Sequence, residues 1–86
     1  MYTIETIFEI LKVLRILEET GKEPSTKDIA ELLKKDYSVV LRYRNTMEKA
    51  GLITVEPEYN KNIVKLTDLG RCIAMCLSKT KNLSKT

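Results

Sequence analysis

The feature that most constrains the fold is a pair of short amphipathic segments, separated by a few residues and closed by Gly51. Both segments repeat apolar residues at the spacing of one helix face, so each predicts a helix with one buried side. Ser25 or Thr26 can cap the first helix. Asp36 or Ser38 can cap the second. The apolar sets are Ile29, Leu32 and Leu33 in the first segment and Val40, Tyr43, Met47 and Ala50 in the second.

After Gly51, two β-rich stretches predict a hairpin. Residues 51–55 and 62–66 are the predicted strands, and the residues between them include a proline and other turn formers. Thr67 then begins a last helix, predicted over residues 67–78. Residues 79–86 are polar and basic, with too little apolar content to fold alone, which predicts a disordered tail.

Residues 3–20 predict a long first helix that ends at Gly21. Its apolar residues occupy more than one side, whereas a helix that packs only against its own domain usually has one apolar stripe. We therefore expect a homodimer seam on this helix. The alternative is a central helix covered by the other elements of the same chain. The expected dimer interface comprises Ile4, Ile7, Leu11, Leu14, Ile73 and Leu77.

The charges are unevenly distributed along the 86 residues. Residues 1–33 contain four basic and seven acidic side chains, whereas residues 34–49 contain five basic and two acidic ones. Residues 59–86 contain six basic side chains and one acidic. The basic excess therefore coincides with the second helix of the pair and with the C-terminal part of the chain; a solvated surface is the alternative interpretation, and the position of the charges on the motif favours DNA binding. Charged residues interrupt every apolar stretch, so we expect no signal peptide or membrane span and a cytoplasmic location.

The second helix of the pair carries, opposite its apolar side, groups that suit DNA. Arginine can donate two hydrogen bonds to guanine, asparagine can pair with adenine, and leucine can contact a thymine methyl group. Arg44 lies beside the apolar stripe, where it has two interpretations: a phosphate contact or an ion pair with Glu48. In the hairpin, Lys61 can reach a phosphate, but Glu56 and Glu58 oppose that approach, and a solvated turn is the alternative.

Two signatures at this separation, Met47-Glu-Lys-Ala-Gly-Leu-Ile and Lys65-Leu-Thr-Asp-Leu-Gly-Arg, resemble the winged helix-turn-helix of small bacterial and archaeal transcriptional regulators. The resemblance covers about residues 25–77. It implies a mainly α fold with a small β-hairpin wing, and dimeric binding to operator-like double-stranded DNA. The expected single domain spans residues 1–78, with the helix-turn-helix and wing in residues 25–66.

The resemblance and the helix face together give a set of expected DNA-binding residues. On the second helix of the pair, the recognition helix, they are Ser38, Val39, Leu41, Arg42, Arg44, Asn45 and Lys49. At the cap of the supporting helix and in the wing they are Ser25, Thr26, Lys27, Tyr59, Asn60 and Lys61.

Other kinds of function have less support. The chain has no histidine and no glycine-rich phosphate loop, so we expect neither an enzyme nor a cofactor. Cys72 and Cys76 are compatible with a metal half-site, a thiol sensor or a disulfide, but we expect them to be small buried apolar residues, with no metal. The competing function is a winged-helix module whose recognition helix faces a protein partner instead of DNA. Neither the target sequence nor a small-molecule effector can be identified from these residues.

Overall fold

A computed structural model of the chain describes the backbone of residues 3–84 and the side chains of residues 3–77. Four helices and one antiparallel hairpin follow each other in the predicted order, so the predicted fold class is confirmed. The elements are α1 (Ile4–Glu19), α2 (Thr26–Leu33), α3 (Tyr37–Lys49), β1 (Ile53–Glu58), β2 (Lys61–Leu66) and α4 (Asp68–Ser84).

Helix α1 lies at the centre of the fold. Ile10, Leu11 and Leu14 are almost completely buried in the core of their own chain, where α1 packs against α4 and β2. The prediction that Leu11 and Leu14 belong to a dimer interface is therefore wrong. Other elements of the same chain therefore cover part of the apolar surface of α1, whereas Ile4 and Ile16 remain 64% and 59% exposed.

The remaining residues of the expected dimer interface differ in exposure. Ile4 is 64% exposed, so it lies on the surface of the single chain. Ile7 and Ile73 are partly buried and pack against the core. Leu77 is also partly buried.

Two hydrogen bonds fix the start of α1. The Thr3 side chain caps the helix by accepting a hydrogen bond from the backbone N–H of Thr6, at 3.3 Å. The backbone N–H of Thr3 donates to the Tyr43 hydroxyl at 2.8 Å. Because Tyr43 belongs to α3, this second bond attaches the first turn of α1 to the recognition helix.

The hairpin is longer than predicted, since its strands pair from Ile53 opposite Leu66 to Glu58 opposite Lys61. Its second strand is also buried on both faces. Val64 is 1% exposed on one face, and Ile63 is 5% exposed on the other. The segment before α2 covers Ile63: Ser25 forms an isolated β-bridge with it, and the Pro24 carbonyl accepts from the Val64 N–H at 2.9 Å. This contact, which the sequence did not indicate, fixes the wing against the start of α2.

The start of α4 is attached to the end of α3 through Thr67. Its hydroxyl donates to the Gly51 carbonyl and accepts from the Gly70 N–H, so it caps α4 as predicted. The helix continues to Ser84, and the prediction of a disordered tail is wrong as far as that residue. No proline or glycine follows Gly70, so nothing in the backbone chemistry stops the helix at residue 78. Residues 85 and 86, also assigned to that tail, lie outside the described residues.

Gly70 allows α4 to approach the start of the wing. A Cβ atom added to Gly70 would overlap the carbonyl oxygen of Leu52 and lie 3.3 Å from a methyl carbon of Leu66. We therefore expect Gly70→Ala to destabilise the domain by about 3 kcal/mol, the upper end of the usual cost of overpacking. This cost exceeds the gain of about 1 kcal/mol that alanine brings to a helix interior. Urea denaturation, monitored by circular dichroism, measures the change in unfolding free energy.

Gly21→Ala is the matched control. Gly21 has a φ of +76°, and no atom lies within 4 Å of an added Cβ, so only backbone strain of about 1–2 kcal/mol is expected. A Gly70→Ala variant as stable as Gly21→Ala would show that α4 does not depend on this close approach.

Candidate nucleic-acid interface

One side of α3 is in the core and the other faces solvent. Val40, Tyr43 and Met47 are at most 5% exposed, which agrees with the predicted apolar side, whereas Ala50 is exposed because it lies in the turn after the helix. Asp36 is the N-cap residue of α3 but makes no side-chain capping hydrogen bond. The opposite side presents an exposed stripe at positions i, i+4, i+7 and i+11, which we call the α3 stripe. It consists of Ser38, Arg42, Asn45 and Lys49.

Beside the α3 stripe lie two apolar residues of the expected site. Val39 is 38% exposed, and Leu41 is partly buried. The stripe therefore combines hydrogen-bonding side chains and two cations with apolar contacts at its margin. These residue types match the donors, acceptors and methyl groups on base edges in the major groove.

Arg44 connects α3 to α2. Its Nη1 donates to the Thr26 hydroxyl at 3.1 Å, and its Nη2 donates to Asn45 Oδ1, also at 3.1 Å. The predicted alternative of an ion pair with Glu48 is wrong, because the guanidinium points across to the first turn of α2. Its Nε is buried and has no hydrogen-bond partner among the described atoms.

These contacts have a consequence for Asn45. The side-chain amide of Asn45 is exposed, but the bond from Arg44 fixes its orientation. One Oδ1 lone pair and both Nδ2 hydrogens remain for other partners. An adenine edge needs one acceptor and one donor from such an amide, so the bond to Arg44 prepares Asn45 for that pairing without preventing it.

Ser25 and Thr26 have structural roles at the start of α2. Ser25 forms a capping box with Asp28, in which each side chain bonds the backbone N–H of the other. Ser25 is 6% and Thr26 2% exposed. The expectation that these two side chains contact DNA is corrected, since both are buried and engaged within the chain.

The wing and the starts of α2 and α3 meet in one groove. It has a volume of about 350 Å³ and brings together five residues of the expected site, among them Lys27, Asn60 and Lys61. Asp28 lies in the same groove, and its pKa is lowered mainly by the hydrogen bond from the Ser25 backbone and further by the charges of Lys61 and Lys27. The groove also contains Ser25, Thr26, Glu31, Tyr37 and Asn62.

Tyr37 is not among the residues that the sequence predicts to bind DNA. It is the first residue of α3, is 48% exposed, and lines the groove between α2 and the wing. The signal that could have identified it is an aromatic residue directly before a basic helix.

The tip of the wing presents Tyr59, whose side chain is fully exposed and whose φ is +54°. Behind the tip, the Lys65 ammonium binds the Glu56 carboxylate at 3.1 Å, and this bond raises the pKa of Lys65. Glu58 lies opposite Lys61 in the strand register. Both acidic residues that were expected to oppose DNA are thus placed next to lysines.

Cys72 and Cys76 are exposed on α4, so the prediction that they are buried is wrong. The side of α4 that enters the core is defined by Ala74, which is 0% exposed, and the two cysteines lie away from it. Among the described residues, no three His, Cys, Asp or Glu side chains are grouped so that they could hold a metal ion. None of the helices, within those residues, is long and apolar enough to span a membrane.

The Arg44 contacts predict a coupling between α2 and α3. Thr26→Val keeps the volume but removes the acceptor of Nη1, so we expect a loss of about 1–3 kcal/mol in unfolding free energy from the unsatisfied donor. In the Arg44→Met background, the Thr26→Val change should lower the unfolding free energy by less, because the guanidinium donor is absent. Denaturation of the two single variants and the double variant measures this coupling. Additive effects would mean that the bond contributes nothing to stability.

Comparison with known proteins agrees with this geometry. The model of a family described as winged helix-turn-helix DNA-binding matches residues 10–54. Among curated proteins, none gives a significant match.

Solved structures share the fold. AF1382 from Archaeoglobus fulgidus superposes with a TM-score of 0.89 at 24% identity, over 98% of this chain and 92% of that one. A putative DNA-binding protein from Ralstonia eutropha superposes with a TM-score of 0.74 at 29% identity, over 88% of this chain and 98% of that one. MepR, a transcription regulator of the Staphylococcus aureus multidrug efflux pump MepA, superposes with a TM-score of 0.85 at 16% identity. The match covers 92% of this chain and 58% of the MepR chain.

The family match covers more than half of the chain, and it includes α2, α3 and the start of the wing. The chain belongs to the winged helix-turn-helix DNA-binding family.

Proposed function

We propose that the chain is a sequence-specific double-stranded DNA-binding protein that regulates transcription as a cytoplasmic homodimer. The observation that carries this proposal is the α3 stripe, an exposed row of hydrogen-bonding and cationic side chains on the recognition helix of a DNA-binding family member. MepR, which shares the fold, is a transcription regulator, and this supports the same role here.

In the proposed complex, α3 lies in the major groove. Arg42 and Asn45 contact base edges, with Arg42 donating two hydrogen bonds to a guanine. Arg44 positions Asn45 from behind instead of contacting a base. Ser38 and Lys49, at the two ends of the helix, bind phosphates. Val39 and Leu41 provide apolar contacts at the margin.

The wing and α2 contact the flanking backbone. Lys27 and Lys61 line one groove from two elements together with Asp28 and Glu31, so each lysine contacts a phosphate at the rim of the groove and not inside it. Tyr37 and Asn60 line the same groove and can donate hydrogen bonds to phosphate oxygens. Tyr59, fully exposed at the tip of the wing, reaches the sugar-phosphate backbone or the minor groove.

The proposed dimer uses the exposed apolar residues of the terminal helices. The burial of Leu11 and Leu14 excludes them from this interface. The other residues of the expected seam form it, namely Ile4 and the accessible parts of Ile7, Ile73 and Leu77. A two-fold axis near these residues presents two recognition helices to a symmetric site.

A second candidate function is docking of a protein on the same region. Tyr37 and Val39, at the start of α3, are 48% and 38% exposed, and an apolar partner surface would cover them. Salt distinguishes the two candidates, because phosphate contacts release counterions and lose affinity steeply with salt, whereas apolar docking does not.

Selection from random-sequence duplex DNA at low and moderate salt tests the proposal. We expect retained sequences to share a two-fold symmetric motif and the affinity to fall with salt. An asymmetric motif would contradict the dimer, and binding without any enriched motif would contradict sequence specificity. Absence of binding at low salt would favour the protein-docking function.

Arg42→Ala should weaken binding to the selected site by about 1–3 kcal/mol and relax the preference at one base pair, because a bidentate base contact is lost. Lys61→Ala should instead weaken binding to all sequences similarly and reduce the salt slope by about 1. Fluorescence anisotropy with the selected site and a scrambled duplex measures both effects.

Lys22→Ala is the matched control, since it removes an exposed cation from the groove beside Glu18 and Arg71, away from the α3 stripe. It should leave specific binding almost unchanged. An Arg42→Ala variant that behaves like Lys22→Ala would remove Arg42 from the base-reading set.

A further inference from the structure

Three sulfur-containing side chains lie together on the outer side of α4. Cys72 and Cys76 are free and exposed thiols one helical turn apart, and Met75 is 41% exposed. At about 100° per residue, the three side chains fall within an arc of about 100° on the helix surface. We call Cys72, Met75 and Cys76 the sulfur cluster. Together with Asp68 and Arg71 it lines a shallow groove of about 310 Å³.

The core does not account for the sulfur cluster. Ala74 is buried and Ile73 packs against the core, whereas Cys72 and Cys76 are exposed and Met75 is 41% exposed. Free cysteine is normally among the most buried residue types, so two exposed cysteines one helical turn apart are unusual.

The spacing favours a bridging ion over a disulfide. Residues four apart on a helix have Cβ atoms about 5–6 Å apart. A disulfide needs a Cβ separation of about 3.5–4.5 Å, which a regular helix does not provide. An ion with metal–sulfur distances of about 2.3 Å, the zinc–thiolate value, joins two sulfur atoms up to about 4.6 Å apart. Rotation about the Cα–Cβ bonds of Cys72 and Cys76 brings their sulfur atoms within that range.

The ligand set selects the ion. The Asp68 carboxylate accepts from Arg71 at 2.9 Å, so the nearest oxygen donor already has a cationic partner. The donors that remain in the groove are two thiols and one thioether. A structural zinc site needs four ligands, and an iron–sulfur cluster needs four cysteine or histidine ligands, whereas thiolate and thioether donors in small number suit Cu(I).

We propose that the sulfur cluster is a Cu(I) site of low coordination number within a single chain. Cys72 and Cys76 bind as thiolates and release their two protons to solvent, and the Met75 thioether is the third ligand. The site lies on α4 and uses no residue of the proposed DNA interface.

Competition titration tests this site on the full chain. The reduced protein is titrated anaerobically with Cu(I) against a chromogenic Cu(I) chelator, without DNA. We expect one ion per chain, a sulfur-to-copper charge-transfer absorption in the ultraviolet, and X-ray absorption spectra with sulfur ligands only. Cys72→Ser and Cys76→Ser should each lower the affinity by about 100-fold or more, since losing even an outer partner of a metal ligand costs about 10- to 100-fold. Met75→Leu, which keeps the volume, should lower it less.

Leu69→Ala is the matched control, because Leu69 is 52% exposed near the start of the same helix and carries no sulfur. It should bind Cu(I) like the unaltered chain, and circular dichroism checks that every variant is folded. Unchanged affinity in the Cys72→Ser, Cys76→Ser double variant would overturn the proposal. One ion per two chains, or nitrogen or oxygen ligands in the X-ray absorption spectrum, would also overturn it. Because no DNA is present, these outcomes are independent of the proposed DNA binding.

Discussion

The burial of α1 is the constraint on which the rest of the fold depends. A domain of this size has one thin core, and Ile10, Leu11 and Leu14 occupy its centre. The hairpin, α2 and α3 enclose the core around α1, and α4 lies along it. Since α3 contributes only one side to this core, its opposite side is free to carry the α3 stripe. The proposed interface is thus the part of α3 that the core does not use.

Local patterns in the sequence predict the helices, the hairpin and the orientation of α3. Helical periodicity and the glycine after α3 act within a few residues, so they can be read without knowing the tertiary contacts. The family signatures added the order of elements and the identity of the recognition helix. The types of residue on the outward side of α3 could be predicted from the sequence for the same reason. Their contacts with DNA remain a prediction.

The errors arise where a distant part of the chain decides the outcome. Ile63 is buried because Pro24 and Ser25 cover it, about 40 residues earlier in the chain. The breadth of apolar residues on α1 does not say whether its own chain or a second one covers them. The exposure of Cys72 depends on which side of α4 meets α1, and the partner of Arg44 lies on a different helix. In each case a tertiary contact decides which residues are buried or bonded, and the local sequence pattern does not contain that contact.

The hydroxyl of Tyr43 carries a consequence for the geometry of a dimer. It joins the N-cap residue of α1 to the middle of α3, so the start of α1 is attached directly to the recognition helix. If two chains associate near Ile4, the distance between their recognition helices is then set by the packed core and not by a flexible connection. Half-sites on DNA are spaced by whole turns of about 34–36 Å, so such a dimer tolerates one operator spacing and rejects insertions of a few base pairs.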